Sequence, residues 1–338
     1  MKKLVPNLLV LLLICCSAYG YETQSVYVGP GYSRISFRDG IICLTRSKPA
    51  SVLVLTSEGK FVSEISVGLS YPVNAVHHAG MIFISDYYKA SVMVYTIFGR
   101  LIKKVDVGPY PTTLKFSNNR VYVACSGDKS VYRINCLTLE KEEKYVFQSA
   151  SLYFEVINDE LLYLYYFDTD RTYERVGGSK KIVKVSNLKN PVKYAEKDGF
   201  SYILGYADGI VVCLKNDNEL WRVNLSDYAK DMVLANNYIA TTSLLDPVMT
   251  LVSYDGKVLK RISLPNVAHR VLYMDEKVVL LNHLPGEIYL VDTKTDEVQT
   301  IKVGSYAIDL VQISQSELAV LCTDSEELFL INLRGRSP

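Results

Sequence analysis

The 338-residue sequence is short of histidine, tryptophan and paired cysteines. It has four histidines, one tryptophan and seven cysteines, none of them in a Cys-x-x-Cys arrangement, so zinc, c-type haem and thioredoxin-like sites lose their usual sequence support. A charge excess is also missing, because 37 Lys and Arg oppose 36 Asp and Glu. No overall field therefore draws the chain to nucleic acid or anionic lipid. What the sequence does have is 49% apolar residues, enough for a large buried core.

The first 20 residues are typical of a secretory leader. Lys2-Lys3 precede an apolar run over residues 8–16, and Ala18-Tyr19-Gly20 forms a small-x-small cleavage site. The run is shorter than the ~20 apolar residues that a membrane span requires. We therefore expect residues 1–20 to be a signal peptide and residues 21–338 to be an exported domain, periplasmic or extracellular, without a transmembrane span after processing.

Lipid attachment at Cys15 or Cys16 is the alternative to plain cleavage. A bacterial lipobox needs Gly, Ala or Ser directly before the cysteine, whereas Ile14 and Cys15 stand there. Cleavage after Gly20 is accordingly preferred. The cysteines that remain lie mostly inside apolar runs, which favours buried thiols acting as small hydrophobic side chains; they are Cys43, Cys125, Cys136, Cys213 and Cys322.

A repeat of about forty residues organises the chain. Its marker is a polar turn pair followed at once by an apolar or β-branched run, and it occurs eight times at spacings of 40, 39, 40, 40, 38, 39 and 40 residues. The second residues of these turns are Gly40, Gly80, Asn119, Asp159, Gly199, Asn237, Glu276 and Ser316.

Each period divides into four short segments rich in Val, Ile, Tyr and Phe, as in 74–78, 81–85, 91–95 and 101–107. Such segments favour strands, and no window has a long, capped 3.6-residue periodicity, so we expect almost no helix. Four antiparallel strands per repeat predict an all-β fold of the β-propeller type, in which neighbouring blades cover both faces of each sheet.

The two ends of the sequence predict how the ring closes. Residues 25–28 form a fourth strand without a blade of its own, and the last repeat stops after its third strand at 328–332. Pairing the N-terminal strand in the last blade would satisfy both open edges. We therefore predict one eight-bladed domain over 21–338. A seven-bladed ring is the alternative, because the fourth repeat is polar over 168–179.

One repeat resembles a known family. Val121-Tyr122-Val123-Ala124-Cys125-Ser126-Gly127-Asp128-Lys129-Ser130-Val131 is similar to the repeat of YVTN-type (YncE-like) propellers, where a Tyr-Val-Thr-Asn strand precedes a short turn and a Ser-Val strand. Cys125 takes the place of the family's Asn. The resemblance implies a propeller and, since such proteins are mostly exported, an exported one; it implies no particular activity.

Two sets of loops should meet on one face of the ring. The loops between second and third strands carry acids that could bind Ca²⁺, a polyamine or a basic partner, although Asp is also a preferred turn residue. These acids are Asp86, Asp128, Asp168, Asp208, Asp246 and Asp324.

The loops that enter each first strand carry tyrosines eight to ten residues before the turn marker. They would suit a protein or glycan contact, or they could fill crevices between blades as a repeat consensus. These tyrosines are Tyr32, Tyr71, Tyr110, Tyr228 and Tyr306.

The histidines give little support for catalysis. His77 and His78 are adjacent on a strand, so their side chains point to opposite faces. His269 and His283 belong to repeat seven and could serve acid-base chemistry with a carboxylate, but a solvated or core role is preferred. No Gly-x-Ser-x-Gly elbow, phosphate loop or His-Glu-x-x-His helix is present.

Two functions follow from these patterns. The preferred one is an exported, non-enzymatic binding or scaffold protein, expected to be monomeric, that contacts a protein or polysaccharide through its loop face and needs no cofactor. The alternative is a lactonase-like hydrolase with calcium or another divalent cation in the axial channel, held by carboxylates of different blades. Nucleic acid is not an expected partner.

Overall fold

The computed structural model describes residues 14–16, 21–150, 153–177 and 180–334. Within these ranges the chain forms β-strands and no helix, as the sequence predicts. It follows that no helix in the described part of the chain could cross a membrane. Residues 1–13 and 17–20, most of the predicted leader, lie outside the described residues.

The strands form eight antiparallel sheets; in seven of them the strands pair in chain order, and the eighth combines the two N-terminal strands with the last three strands. Strands β1 (Ile14–Cys16) and β2 (Glu22–Tyr27) precede the first blade. Blade 1 contains β3 (Arg34–Arg38), β4 (Ile41–Arg46), β5 (Ser51–Thr56) and β6 (Phe61–Ile65); blade 2 contains β7 (Pro72–His78), β8 (Met81–Asp86), β9 (Ser91–Thr96) and β10 (Leu101–Asp106); blade 3 contains β11 (Pro111–Ser117), β12 (Arg120–Cys125), β13 (Ser130–Asn135) and β14 (Lys141–Val146); blade 4 contains β15 (Phe154–Ile157), β16 (Glu160–Leu164), β17 (Tyr173–Val176) and β18 (Lys180–Val183).

The remaining blades continue the same pattern. Blade 5 contains β19 (Pro191–Lys197), β20 (Phe200–Gly205), β21 (Ile210–Lys215) and β22 (Asn218–Asn224); blade 6 contains β23 (Ala229–Leu234), β24 (Tyr238–Ser243), β25 (Val248–Ser253) and β26 (Val258–Ser263); blade 7 contains β27 (Arg270–Met274), β28 (Lys277–Asn282), β29 (Glu287–Asp292) and β30 (Glu297–Lys302); blade 8 contains β31 (Ala307–Gln312), β32 (Glu317–Cys322) and β33 (Glu327–Asn332), completed by β2 and β1.

The sheets pack face to face as an eight-bladed β-propeller. Eight clusters of buried apolar side chains are each shared by two consecutive blades, and one of them joins blade 8 to blade 1. First strands of neighbouring blades contact one another, as β3 and β7 or β23 and β27 do, so the first strands surround the axis. Each blade therefore depends on two neighbours for its core. Blade 4 is complete, which decides between eight and seven blades.

The turn marker of the sequence is the hairpin between the first and second strands. In blades 1, 2, 4, 5 and 7 both residues of this turn have positive φ, for example Asp39 at 49° and Gly40 at 76°. Type I′ turns require this geometry, which Asn, Asp and Gly adopt at low cost. The second strands that follow are buried on both faces, and this explains their continuous apolar runs.

The ring closes through the predicted pairing of chain ends. β2 pairs antiparallel with β33, and Ser25 lies opposite Phe329. Val26 is buried in the cluster shared by blades 8 and 1. Gly59, at φ +74°, lets a turn of blade 1 approach this strand so closely that a Cβ there would lie 2.8 Å from Cγ2 of Val26. β2 thus contacts β33 on one side and the turn that contains Gly59 on another.

The five cysteines after residue 20 are free and buried, which confirms their interpretation as core residues. They lie in four of the clusters between blades. Burial raises the pKa of Cys43, Cys125, Cys136 and Cys322 to about 12. Their thiols are therefore neutral, which removes their reactivity as nucleophiles.

Candidate functional site

One end of the propeller, here named the loop face, carries both sets of candidate residues. It consists of the loops between second and third strands and the loops between blades. A repeated backbone hydrogen bond joins the two sets: the N–H of Tyr87 donates to the carbonyl of Tyr71 at 2.9 Å, and the N–H of Ser126 donates to that of Tyr110 at 3.1 Å. The same bond links Leu244 to Tyr228 at 3.1 Å. The same backbone hydrogen bond therefore holds the tyrosine positions in one register from blade to blade.

Three of the predicted tyrosines occupy a left-handed backbone position. Tyr110, Tyr228 and Tyr306 have φ values of 58°, 56° and 56°, and Asn190 fills the equivalent position of blade 5 at 51°. Gly or Asn adopts this conformation at lower cost than a residue with a bulky side chain, for which about 1 kcal/mol is typical. The three tyrosine side chains are 45%, 42% and 38% exposed. Three residues with an unfavourable backbone conformation thus place their phenol rings at the surface of the loop face.

Tyr32 and Tyr71 differ from these three. Tyr32 is 2% exposed; its hydroxyl donates to Glu64 at 3.0 Å, and Arg46 stacks on its ring at 4.7 Å. Burial raises its pKa to about 12. Tyr32 therefore belongs to the core between blades 8 and 1, whereas the half-buried Tyr71 belongs to an aromatic cluster of the loop face.

Three of the six predicted aspartates hold loops together. Asp86 is fully buried and accepts backbone N–H bonds from Ser70 at 2.7 Å and Tyr71 at 3.1 Å. Asp168 accepts the backbone N–H of Asp170 at 2.7 Å and the Arg171 guanidinium at 2.9 Å; burial opposes ionisation there, but these hydrogen bonds lower its pKa overall.

Asp128 is the third. Its carboxylate accepts hydrogen bonds from Ser130 and Tyr132 and pairs with Lys144 at 3.0 Å. Burial alone would raise its pKa, but these partners lower it. The turn and loop role of Asp is therefore realised at three positions.

Of the other three predicted aspartates, one is half-buried and two are exposed. Asp208 accepts the backbone N–H of Lys189 at 3.3 Å through one oxygen, while its other oxygen is buried without a partner in the described structure. Asp246 and Asp324 are exposed. Among the described residues no three His, Cys, Asp or Glu side chains converge as metal ligands. The six aspartates thus surround the loop face without forming a shared cation site in this part of the chain.

Further aromatic residues lie beside the predicted tyrosines. They come from the first positions of the loops between second and third strands, seven residues after the turn marker or one later. This register was available in the sequence but was obscured by Ser, Leu, His and Thr at the same position in other blades. The residues are Tyr87, Tyr88, Tyr166, Phe167 and Tyr206.

These residues form two aromatic clusters. The first aromatic cluster consists of Tyr71, Tyr87, Tyr88 and Tyr110: the Tyr87 and Tyr110 rings stack with centroids 4.7 Å apart, and Tyr71 and Tyr88 lie 4.9 Å apart. Tyr88 is 62% exposed. Lys48 lies 5.9 Å from the Tyr71 ring.

The second aromatic cluster spans blades 4 to 6 and consists of Tyr153, Tyr166, Phe167, Tyr206 and Tyr228. Its ring centroids are 4.6 to 6.4 Å apart. Phe167 is 76% exposed. Lys230 lies 5.8 Å from the Tyr206 ring.

A stack of two histidines and one tyrosine lies between blades 7 and 8. The His269 and His283 rings are 3.7 Å apart, and Tyr306 lies parallel to His283 at 5.9 Å. His283 contacts the carbonyl of Ala307 through Nδ1. Burial, followed by the adjacent His283 and Lys230, lowers the pKa of His269 to about 4. The pair is therefore brought together as the sequence allows, with His269 neutral at pH 7.

The first strands surround the axis, and each blade has one polar residue on or directly before its first strand, near the end of the central channel that lies under the loop face. This end of the channel is here named the axial mouth. Asp231 binds Lys193 at 3.0 Å and accepts the backbone N–H of Val271 at 3.1 Å. Arg270 lies between Asp231, at 3.7 Å, and Asp309, at 3.5 Å. All eight positions stand six or seven residues before the turn marker; they are Arg34, Asn74, Thr113, Tyr153, Lys193, Asp231, Arg270 and Asp309.

Comparison with known proteins supports the fold. No protein-family model and no curated protein matches the sequence. Among solved structures, the chain is similar to the computationally designed Ika8 protein, with a TM-score of 0.72 and 14% identity over 90% of this chain and 98% of that one. It is also similar to Saccharomyces cerevisiae Sqt1, with a TM-score of 0.73 and 12% identity over 90% and 96%.

A third similar structure is the dihydro-heme d1 dehydrogenase NirN in complex with DHE, with a TM-score of 0.68 and 13% identity over 90% of this chain and 75% of that one. Identities this low show a shared β-propeller fold and carry no function across.

Proposed function

We propose that the chain is an exported, non-enzymatic β-propeller that binds a macromolecular partner, a protein or a polysaccharide, through its loop face. The observation that carries the proposal is the recurrence of exposed tyrosine at a left-handed backbone position in three blades, Tyr110, Tyr228 and Tyr306. A residue that costs backbone strain in three repeats is expected to contribute through its side chain. Tyrosine supplies apolar area and a hydroxyl, and it is common among residues that dominate binding energy.

The composition of the loop face supports binding. Eight large apolar side chains of this face are between 38% and 84% exposed, more than single scattered residues require. They are Val67, Tyr88, Tyr110, Phe167, Tyr228, Leu245, Leu284 and Tyr306. Aromatic and aliphatic side chains ringed by polar loops are typical of a recognition surface.

The export part of the proposal rests on the leader pattern in residues 1–20 and on the YVTN-like repeat. In the structure that repeat runs from β12 through the loop that holds Asp128 and into β13. A signal peptide would be demonstrated by N-terminal sequencing of the protein from the medium or periplasm of its own organism, with Tyr21 expected as the first residue. Retention of Met1 in the same fractions would contradict export by cleavage.

The binding part is tested with loop-face variants and a matched control. The double variant Tyr110→Ala/Tyr228→Ala removes two exposed rings from the loop face, whereas Phe98→Ala removes one that is 76% exposed in the turn between β9 and β10, on the opposite face. Immobilised proteins are incubated with the envelope fraction of the source organism, and bound proteins and sugars are quantified.

A wild-type ligand should be captured at least tenfold less by the double variant, because loss of one hot-spot ring typically costs about 2 kcal/mol. Phe98→Ala should capture it like the wild type. Equal capture by all three proteins would refute the loop face as the binding surface.

A further inference from the structure

The loop face is divided by charge. The loops between second and third strands of blades 1, 2 and 3 carry Lys48, Lys89 and Lys129. The loops of blades 5, 6 and 8 carry two lysines, Lys189 and Lys230, and five exposed or half-buried acids, namely Asp208, Asp227, Asp246, Asp324 and Glu326. When Asp86 and Asp128 are counted against the three lysines, the loops of blades 1 to 3 keep a small positive excess, whereas the loops of blades 5, 6 and 8 have an excess of acids. The two halves of the face therefore differ in sign, although the whole chain is nearly neutral.

The acids of the positive half are already occupied. Asp86 is fully buried under backbone N–H groups, and Asp128 pairs with Lys144 at 3.0 Å. By contrast, the side chains of Lys48 and Lys129 are exposed and form no ion pair with any described residue. The positive charge of this half is thus available to a ligand.

Arg34 adds an unpaired cation at the axial mouth. It is exposed at the start of β3 and forms no ion pair with an acid of the described residues. Burial raises the pKa of the Tyr153 phenol, and the charge of Arg34 acts against this shift because it favours ionisation. The other two cations of the axial mouth are paired with acids. Lys193 contacts Asp231, and Arg270 lies near Asp231 and Asp309. An arginine is well suited to a bidentate contact with a carboxylate.

The first aromatic cluster lies within this positive half. Its rings are tilted against one another by 55° to 80°, except for Tyr87 and Tyr110, which stack face to face. The faces of that pair cover each other, so the cluster offers ring edges and clefts rather than one broad flat platform. Next to it, Val67 is 84% exposed. Clefts between tilted rings suit the apolar side chains of a peptide better than the flat face of a sugar ring.

From this arrangement we infer that the loop face of blades 1 to 3 docks an acidic segment of a partner protein. Carboxylates of the segment contact Lys48, Lys129 and Arg34, while an apolar side chain between them packs against Tyr88 and Tyr110. The inference rests on the proposed function and gives the partner its chemistry. We name this surface, formed by Arg34, Lys48, Tyr88, Tyr110 and Lys129, the basic-aromatic patch.

The first experiment uses defined probes. A fluorescent twelve-residue peptide of alternating Glu and Tyr is titrated into the full mature protein, beside a Lys/Tyr peptide, a Glu/Ala peptide and polygalacturonate. The Glu/Tyr peptide should bind at least tenfold more tightly than either other peptide, and its affinity should fall as salt rises from about 50 to 200 mM because exposed charge pairs are screened. Equal binding of the Lys/Tyr peptide would overturn the inference.

The second experiment locates the contact. Lys48→Glu/Lys129→Glu reverses two charges of the patch, whereas Lys189→Glu reverses an exposed loop-face lysine of blade 5. The double variant should weaken binding of the Glu/Tyr peptide at least tenfold and Lys189→Glu by less than about twofold, because charges outside the contact are screened. Tyr88→Ala should weaken it while leaving the melting temperature unchanged.

The outcomes separate this inference from the proposed function. If Tyr110→Ala/Tyr228→Ala loses the native ligand but Lys48→Glu/Lys129→Glu retains it, the loop face binds and the basic-aromatic patch is not the docking site. If polygalacturonate binds with the same dependence on Tyr88 and Lys48 as the peptide, the partner is an acidic glycan and the inferred chemistry is wrong. If neither set of variants changes capture, both proposals fail.

Discussion

At the scale of single residues, blades 3, 6 and 8 each hold an exposed tyrosine on a left-handed backbone, whereas blade 1 buries its tyrosine. The tyrosine register predicted Tyr110, Tyr228 and Tyr306 on the loop face, and the structure gives each a left-handed backbone and an exposed ring. The register could not distinguish Tyr32 from these three residues, although Tyr32 is buried against Glu64. The path of the loop around each residue decides this difference, and in blade 1 Gly31 carries the positive φ in place of the tyrosine.

The buried aspartate of blade 2 provides a stability test at this scale. Asp86→Ala leaves the backbone N–H groups of Ser70 and Tyr71 without their acceptor, and it should lower the free energy of unfolding by about 2–4 kcal/mol, since buried unpaired donors are costly. Asp246→Ala, at an exposed loop position, should change it by less than about 0.5 kcal/mol. Urea denaturation of both variants measures this difference, and equal effects would contradict the loop-bracing role of Asp86.

The histidine stack predicts a pH dependence. The pKa of His269 in the folded state is about 4, below its ordinary value near 6.5. Between these two pH values the unfolded chain binds a proton at this residue and the folded chain does not. Stability should therefore fall as pH drops from 6.5 to 4, by at most about 3 kcal/mol from this residue, and the contribution is fully present above pH 6.5.

The variant His269→Phe keeps a ring against His283 but does not titrate. Urea denaturation at pH 7 and pH 4.5 should show a smaller loss of stability for this variant than for the wild type. Acidic side chains titrate in both proteins, so their contribution cancels in the comparison. Parallel pH profiles would show that His269 is not the group responsible.

At the scale of the strands, the repeat predicted most of the architecture. Polar turn pairs marked type I′ hairpins because two consecutive left-handed residues restrict the side chains that fit. Residues 25–28 were predicted as a strand, which the structure places at Glu22–Tyr27. The aromatic residues Tyr87, Tyr166 and Tyr206 share one register but were missed, because Ser, Leu, His or Thr fills that position in the other five blades and no repeat shows which side chains of two neighbouring loops come into contact. That proximity arises only when the blades are assembled.

The closing strand can be tested by a charge placed on each of its faces. Val26 is 3% exposed in the cluster that joins blades 8 and 1, so Val26→Asp should lower the free energy of unfolding by more than about 3 kcal/mol through burial of an unpaired charge. Thr23→Asp, on the same strand at a half-buried position, should have a much smaller effect. Thermal melting distinguishes the two, and matched melting temperatures would show that the ring does not depend on β2.

At the scale of the whole molecule, the even period of the sequence determined the number of blades, whereas the distribution of charge over the loop face was not visible. Lys48, Lys89 and Lys129 are about forty residues apart in the chain, as are Asp208 and Asp246. A nearly neutral total conceals this difference because these lysines and these acids lie in the loops of different blades. Only the order of blades around the axis places like charges together.

The buried cysteines report on the integrity of the ring. Five of the seven cysteines occupy four different clusters between blades, so these five should not react fast in the native protein, and they should react together once the ring unfolds. Labelling with a thiol reagent across a urea series, followed by peptide mass spectrometry, measures this. Reaction of one cysteine well before the others would show that its pair of blades opens independently.

The pairing of β2 with β33 also imposes an order on biogenesis. Residues 22–27 are synthesised long before residues 327–332, so they have no sheet partner from blade 8 until those residues have been made. The early strand therefore stays unpaired on that edge while blades 1 to 7 are synthesised. Closure of the ring by pairing of β2 with β33 is therefore a late step of folding, and the propeller is complete only when β33 is available.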